Sequence, residues 1–386
     1  KTNRNLVEKM QKNLIKGLKK EDKLKDYTTA FHEQVERGVV RELTQEEIDE
    51  WNAAGNPINY IGHHPVEKPS STSTRIRPVC NSSTPHNGTN LNNLLAKGPC
   101  SLSNLVHVLL RFRAEPYLLI GDLKKAYNVI QMRGGKEMHL RRMLWIRPED
   151  VDKENPELRT YVICTAAFGD RSSMFFLEYA KEVIADWSKG QGDEEVALCI
   201  MLNTYVDDFV PSLKTREAAV NIRDKVQIAF SQLGFTFKGV HLAGPSEPVD
   251  PDREPESLLG YLYNFQEDSI QIKFRVNLSP KKRSARSQPD LTEDEELKGI
   301  QFTPSSLLSL QASQYDPVGL ASCFLVKGKL LISAVAKKQI GWKSPLDEED
   351  QKATLKYAQE LLSLVRDPPV FPRCVHSVGS SLTRLV

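Results

Sequence analysis

The sequence is short of several things at once, and each shortage excludes something. No stretch comes near the roughly 18 uncharged apolar residues of a membrane-spanning helix. No apolar segment follows Lys1–Arg4, so no signal peptide is expected. The six cysteines, Cys80, Cys100, Cys164, Cys199, Cys323 and Cys374, form no Cys-x-x-Cys pair. That excludes a zinc ribbon and predicts reduced, mostly buried thiols in an intracellular protein rather than a disulfide frame. Net charge is only +2, so bulk electrostatics do not announce a nucleic-acid binder. There is no internal repeat and no regular βαβ alternation, which argues against a solenoid and a doubly wound sheet.

What is present is an ordinary folding composition, with 40% apolar and 26% charged residues over 386 positions. That length predicts two or three subdomains. Charge is uneven: lysines crowd residues 9–25, and Lys281-Lys282-Arg283 with Arg286 precede an acidic run at Asp290–Glu296. Periodicity predicts a largely helical segment over 1–50, with Leu6, Met10 and Leu14 four residues apart and a helix ending at Gly38. Further helices are expected over 102–112, 175–187, 217–233, 303–336 (broken at Asp316-Pro317) and 342–365. Strands are expected at 75–80, 117–120, 143–146, 161–164, 235–240 and 258–263, and Asn87-Gly88 reads as a tight turn. The runs 197–202 and 209–213 are expected to form a hairpin around Asp207-Asp208, and the Pro-rich end reads as a linker. This order predicts an α+β fold, an antiparallel sheet backed by helices.

The chemistry sits in Tyr205-Val206-Asp207-Asp208 and a distant third carboxylate, Asp122, directly after an apolar strand. An Asp pair between apolar stretches is ordinarily a polar turn. Paired with Asp122 it becomes a way to hold two Mg2+ ions about 3.5–4 Å apart for in-line phosphoryl transfer.

The block Gly121-Asp122-Leu123-Lys124-Lys125-Ala126-Tyr127 resembles the first catalytic motif of reverse transcriptases. Phe168-Gly169-x-x-Ser172-Ser173 resembles the second, and Tyr205-Val206-Asp207-Asp208 the third. The finer likeness is to the Bel/Pao group of long-terminal-repeat retrotransposons. It rests on His63-His64-Pro65-Val66 and Arg75-Ile76-Arg77-Pro78-Val79, and on Leu91-Asn92-Asn93-Leu94-Leu95 with Gly98-Pro99. Leu110-Arg111-Phe112-Arg113, Tyr315-Asp316-Pro317-Val318-Gly319-Leu320-Ala321-Ser322 and Pro372-Arg373-Cys374 continue it.

The resemblance implies a right-hand polymerase: fingers at 51–115 and 136–165, reached from the helical segment 1–50, and palm at 116–135 and 166–264. Thumb would follow at 265–340, and a connection at 341–386 toward an absent ribonuclease H domain. It implies that Asp122 and Asp207 hold two Mg2+ (Mn2+ being able to substitute), with the Leu123 carbonyl as a further ligand and Asp208 as the supporting acid. Tyr127 would be the steric gate against a ribose 2′-hydroxyl, Arg77 and Arg75 would lie over the triphosphate, and Phe168 and Gly169 would border the nucleotide. Leu259-Gly260-Tyr261 would be the primer grip. Adjacent His63 and His64 point to opposite faces of a strand and are read as structural. Implied partners are an RNA template, a DNA primer or RNA–DNA hybrid, dNTPs, and the ribonuclease H and integrase regions of one polyprotein. No membrane is implied, and the expected location is the cytoplasm, within retrotransposon particles. Three other readings stay open: a non-catalytic nucleic-acid-binding relative, an RNA-dependent RNA polymerase, and a two-metal nuclease.

Overall fold

The computed structural model of the chain describes residues 2–67, 76–132, 136–278 and 290–375. Arg75 and the cluster Lys281–Arg286 lie outside the described residues. The chain divides into two compact units, each assembled from three separate stretches. The first takes Lys1–Leu102, Leu123–Met201 and Gln227–Lys238; the second takes Ser103–Asp122, Leu202–Val226 and Gly239–Val386.

The first unit is built on a three-stranded antiparallel sheet in the order Val40–Glu42, Arg159–Ile163, Arg142–Trp145. Helices Arg4–Lys20 and Leu24–Glu36 lay apolar stripes on it; Ile15, Leu18, Tyr27 and Phe31 join Trp145 and Tyr161 in one buried cluster. Helix Gln45–Ala53 starts where Thr44 and Glu47 form a capping box, which satisfies two orphan N–H groups. Strand Gly62–Glu67 pairs with Ile76–Asn81. The hairpin of Pro85–His86 with Thr89–Asn90 turns at Asn87 and Gly88, with φ +49° and +78°. Both are positive, as a type I′ turn requires.

The second unit carries the strand that ends in the acid motif. Tyr117–Leu123 pairs antiparallel with Asp208–Phe209 and Ser212–Leu213, and also pairs with Phe237–Ala243. A four-stranded sheet follows in the order Glu256–Leu258, Tyr261–Asn264, Ser269–Ile272, Val370–Pro372. Helices Pro304–Ala312, Ser322–Lys337 and Glu348–Arg366 share its core through Leu307, Leu310, Leu325, Tyr357 and Leu361. Thr303 and Asp347 cap the first and last of these. The α+β expectation therefore holds at the level of class.

Four local expectations are corrected. Glu194–Asn203 is a helix, not a strand: a short apolar run fits either, and Ala, Leu and Met with acids in the first turn favour the helix. Asp122 lies inside its strand, which runs on to Leu123. The strand expected over 258–263 is broken by a hairpin turn at Leu259-Gly260, φ +49° and +95°. The C-terminal linker is docked: Val370–Pro372 pairs with Ser269–Gln271, and Arg373 is fully buried. Of the cysteines, Cys199 alone is buried, and Cys100 and Cys323 are exposed. No helix among the described residues is long and apolar enough to cross a membrane.

Candidate active site

The register brings the distant carboxylates together. Asp208 is the direct partner of Asp122, and Phe209 of Gly121. Opposed residues of an antiparallel pair project from the same face with Cβ atoms about 4.5–5.5 Å apart. Asp208 also pairs with Tyr205, so Val206 and Asp207 are the two residues of the hairpin loop. Val206 has φ +57°, whereas Asp207 does not lie in the left-handed region, the pattern of a type II′ turn. A β-branched residue there is strained by about 1–3 kcal/mol. The strained turn carries Asp207 beside the Asp122–Asp208 pair. All three acids are half-buried.

Three supports hold this hairpin, and periodicity signalled none of them. Arg111, on helix Leu105–Phe112, donates from Nε to Asn203 Oδ1 at 3.0 Å and from Nη2 to the Leu202 carbonyl. It thereby caps the helix that ends at Asn203, and the Asn203 carbonyl accepts from Val210 N at 2.9 Å, closing the base of the hairpin. Ser212 Oγ donates to the Arg111 carbonyl at 2.5 Å and accepts from Glu115 N at 3.0 Å.

The third support joins two motifs. A Cβ on Gly260 would meet Tyr315 Cε1 at 2.0 Å, so glycine is required where the Leu259-Gly260 turn lies on that ring. Tyr261 donates its hydroxyl to Asp316 Oδ1 at 3.0 Å and accepts from Val318 N at 3.3 Å. Asp316 also accepts from Leu320 N and Ala321 N at 2.9 and 2.8 Å. Burial raises the pKa of both Tyr261 and Tyr315; the adjacent Asp316 adds to the first, and Tyr205 to the second. The tripeptide Leu259–Tyr261, the Tyr-Asp-Pro motif and Tyr205 thus form one neighbourhood in the second unit.

The remaining candidates belong to the first unit. Tyr127 is half-buried, and its ring meets Phe168 edge-on at 5.8 Å. Phe168 is 66% exposed. Gly169 has φ +111°, and a Cβ there would lie 2.8 Å from the Cys80 carbonyl. Asn92 fixes this loop, donating to Gly169 O at 2.9 Å and accepting from Arg171 N at 2.8 Å. Beneath it, Arg141 Nε donates to buried Asp170 at 2.5 Å, and Ser82 Oγ also donates to that carboxylate. Arg77 is exposed on strand Ile76–Asn81. Lys238 is exposed on strand Phe237–Ala243.

His63 is structural, as expected. Tyr27 OH lies 2.6 Å from His63 Nδ1, and Nε2 lies 3.2 Å from the Leu144 carbonyl. His63 is buried and its pKa is pushed down to about 4 by desolvation; His64 is exposed.

Among the described residues, no group of three or more His, Cys, Asp and Glu is placed to hold a metal ion. The donor set nevertheless suits one cation type. Two opposed carboxylates with a third on the adjoining turn offer hard oxygen ligands. Mg2+ accepts one or two of these and takes the rest from water and substrate phosphates.

A family model described as the Pao retrotransposon-like RNaseH-like domain matches residues 303–383. No curated protein matches the chain. Among solved structures, the foamy viral protease-reverse transcriptase dRH in complex with double-stranded DNA is similar at a TM-score of 0.52 and 13% identity. That match covers 87% of this chain and 46% of the other. The foamy viral protease-reverse transcriptase in complex with an RNA/DNA hybrid gives a TM-score of 0.46 and 15% identity, covering 84% and 36%. The chain spans less than half the length of either. The likeness to the first of these is one of fold, a mixed helix-and-sheet arrangement. The segment covered by the RNaseH-like model is the one read above as late thumb and connection. Its described part holds three helices and the strand Val370–Pro372.

Proposed function

We propose that the chain is the polymerase region of a retroelement reverse transcriptase of the Bel/Pao type, extending a DNA primer on RNA or DNA templates. The observation that carries the reading is the direct pairing of Asp122 with Asp208 beside the strained Val206-Asp207 turn. An ordinary polar turn has no need of a third carboxylate aligned across a neighbouring strand. Asp122 and Asp207 are the proposed metal ligands, with Leu123 O and Asp208 in support. Two bound Mg2+ ions would lower the pKa of the primer 3′-hydroxyl and neutralise the leaving pyrophosphate.

The chain's own groups do the rest. Tyr127 excludes the ribose 2′-hydroxyl, Phe168 and Gly169 border the incoming dNTP, and Arg77 meets its triphosphate with bidentate donors; Arg75 is assigned the same role. Leu259-Gly260-Tyr261 holds the primer end, a role supported by the anchoring of that turn on Tyr315 and Asp316. The proposal includes the fingers, palm and thumb boundaries given above. It also includes the ribonuclease H and integrase regions as polyprotein partners, and a cytoplasmic particle as location.

Primer extension on a primed RNA tests it. Asp207→Asn is expected to lower incorporation on the order of a thousandfold, the loss of several kcal/mol of transition-state stabilisation. Tyr127→Ala is expected to admit ribonucleotides that the wild type rejects. Undiminished incorporation by Asp207→Asn sinks the assignment.

The family match over residues 303–383 favours one second reading, a ribonuclease H-type nuclease. Cleavage of the RNA strand of a labelled hybrid without dNTPs, persisting in Asp207→Asn, would favour it.

A further inference from the structure

The chain's weak net charge hides a strong local one. Residues 1–20 hold seven lysines and arginines against a single acid, Glu8, a net +6; the whole chain is +2, so the rest of it carries −4. In the first unit this charge is organised by helix Arg4–Lys20. Val7, Gln11, Ile15 and Leu18 form its buried face. At 100° per residue, Lys9, Lys12, Lys16 and Lys20 fall within a sector about 80° wide on the opposite side, with Asn5 inside it and Asn13 about 20° beyond its edge. All six are exposed. The four lysines span about 16 Å along the axis, with steps of about 4.5–6 Å.

The stripe is pinned at its start and, Lys12 apart, left without ion pairs. Asn3 donates from Nδ2 to the Tyr60 carbonyl at 2.8 Å and accepts from Tyr60 N at 2.8 Å, pinning the start of the helix to the unit's interior. Lys12 pairs with Glu8 at 2.7 Å. Among the described residues, Lys9, Lys16 and Lys20 form no ion pair. A helix face that serves only solubility mixes signs, because like charges three or four apart destabilise a helix. Lys9–Lys12, Lys12–Lys16 and Lys16–Lys20 are three such pairs in one row.

We infer that this lysine row is a nucleic-acid interface that grips one phosphate backbone, with Asn5 and Asn13 as neutral donors between the charges. The inference rests on the polymerase reading for its choice of polyanion. The contact is independent of base sequence, since lysine heads read phosphate charge and not base edges. It adds a binding surface beyond the acid hairpin and the nucleotide-side residues.

Fluorescence anisotropy on a labelled single-stranded RNA and on a DNA duplex, titrated from low to high KCl without dNTPs, tests this. Changing Lys9, Lys12, Lys16 and Lys20 together to Gln is expected to flatten the log K versus log [salt] slope. The expected change is about 3 to 4 on the duplex and about 2 to 3 on the single strand, at roughly 0.9 and 0.7 per lost contact. The four-Arg variant is expected to keep the wild-type slope, separating charge from folding. Asp207→Asn is expected to keep it too, so loss of catalysis and loss of this interface are read separately. A slope changed by less than about one unit in the Gln variant, or a four-Arg variant as flat as the Gln variant, overturns the inference.

Discussion

In the second unit Arg111, Arg113 and Arg373 donate to backbone carbonyls; in the first, the buried arginines donate chiefly to side chains. Arg113 reaches the carbonyls of Pro372 and Arg373 at 3.1 and 3.2 Å. Arg373 reaches those of Phe112, Glu115 and Pro116, each at 2.8 Å, and adds Asp268 through Nε and Nη2 at 2.5 and 2.8 Å. Arg141 of the first unit bonds Asp170, and Arg142 bonds His139 Nδ1 through Nη2 at 2.9 Å. A guanidinium on a carbonyl fixes backbone without any partner that titrates. A guanidinium on histidine works only while the ring is neutral. The acid hairpin thus sits in the unit whose arginine clamps rest mainly on carbonyls, and the Phe-Gly loop in the unit whose buried arginines rest on side chains, a histidine among them.

The sharpest way to break the contrast is at Arg373. Arg373→Met leaves three carbonyls without this donor in a buried place, while Asp268 keeps the Tyr263 hydroxyl at 2.8 Å. The expected loss is about 3–5 kcal/mol of stability, read as a lower urea midpoint at unchanged m-value. Asp268→Asn is expected to cost less, because Asp268 is about one-third exposed. Equal losses from both would mean that the ion pair, not the carbonyls, carries the clamp.

Arg111→Ala comes next. Its side chain holds the helix end from which the acid hairpin springs, so the change acts on the acids through the backbone. Incorporation is expected to fall about 10–100-fold, as for groups that orient metal ligands. A higher Mg2+ requirement should accompany the fall, with Arg111→Lys partly restoring it. A fall in rate with an unmoved Mg2+ requirement would leave Arg111 as a folding residue only.

These two arginines also mark what could be read in advance. The carboxylates, the Asn87-Gly88 turn, the strand pair at 142–145 and 159–163 and the long helix Ser173–Gly190 announce themselves, because each depends on neighbours within a few residues or on a contiguous motif. The helix Glu194–Asn203 did not, since an apolar run of that length suits a strand equally. The break at Leu259-Gly260 depends on the ring of Tyr315, some fifty residues on. The clamp at Arg373 depends on carbonyls more than 250 residues upstream. Local pattern carries no record of such partners.

The smallest predicted effect sharpens the pH half of the contrast. Burial pushes His63 down to about 4 from an ordinary 6.5, and burial with the nearby Arg142 does the same to His139. A histidine whose pKa is lower folded than unfolded binds its proton preferentially in the unfolded chain. Its contribution is therefore complete above pH 6.5 and is lost as pH falls toward 4. His63 sits in the heart of the first unit, its ring 4.9 Å from Trp145 and 5.2 Å from Phe31. Calorimetric scans between pH 7 and 4.5 should show the wild-type melting temperature falling more steeply than that of His63→Gln, which starts lower but has lost one titrating group. Parallel slopes for the two proteins would remove His63 from the acid response. The pH half of the contrast would then rest on His139, the partner of Arg142.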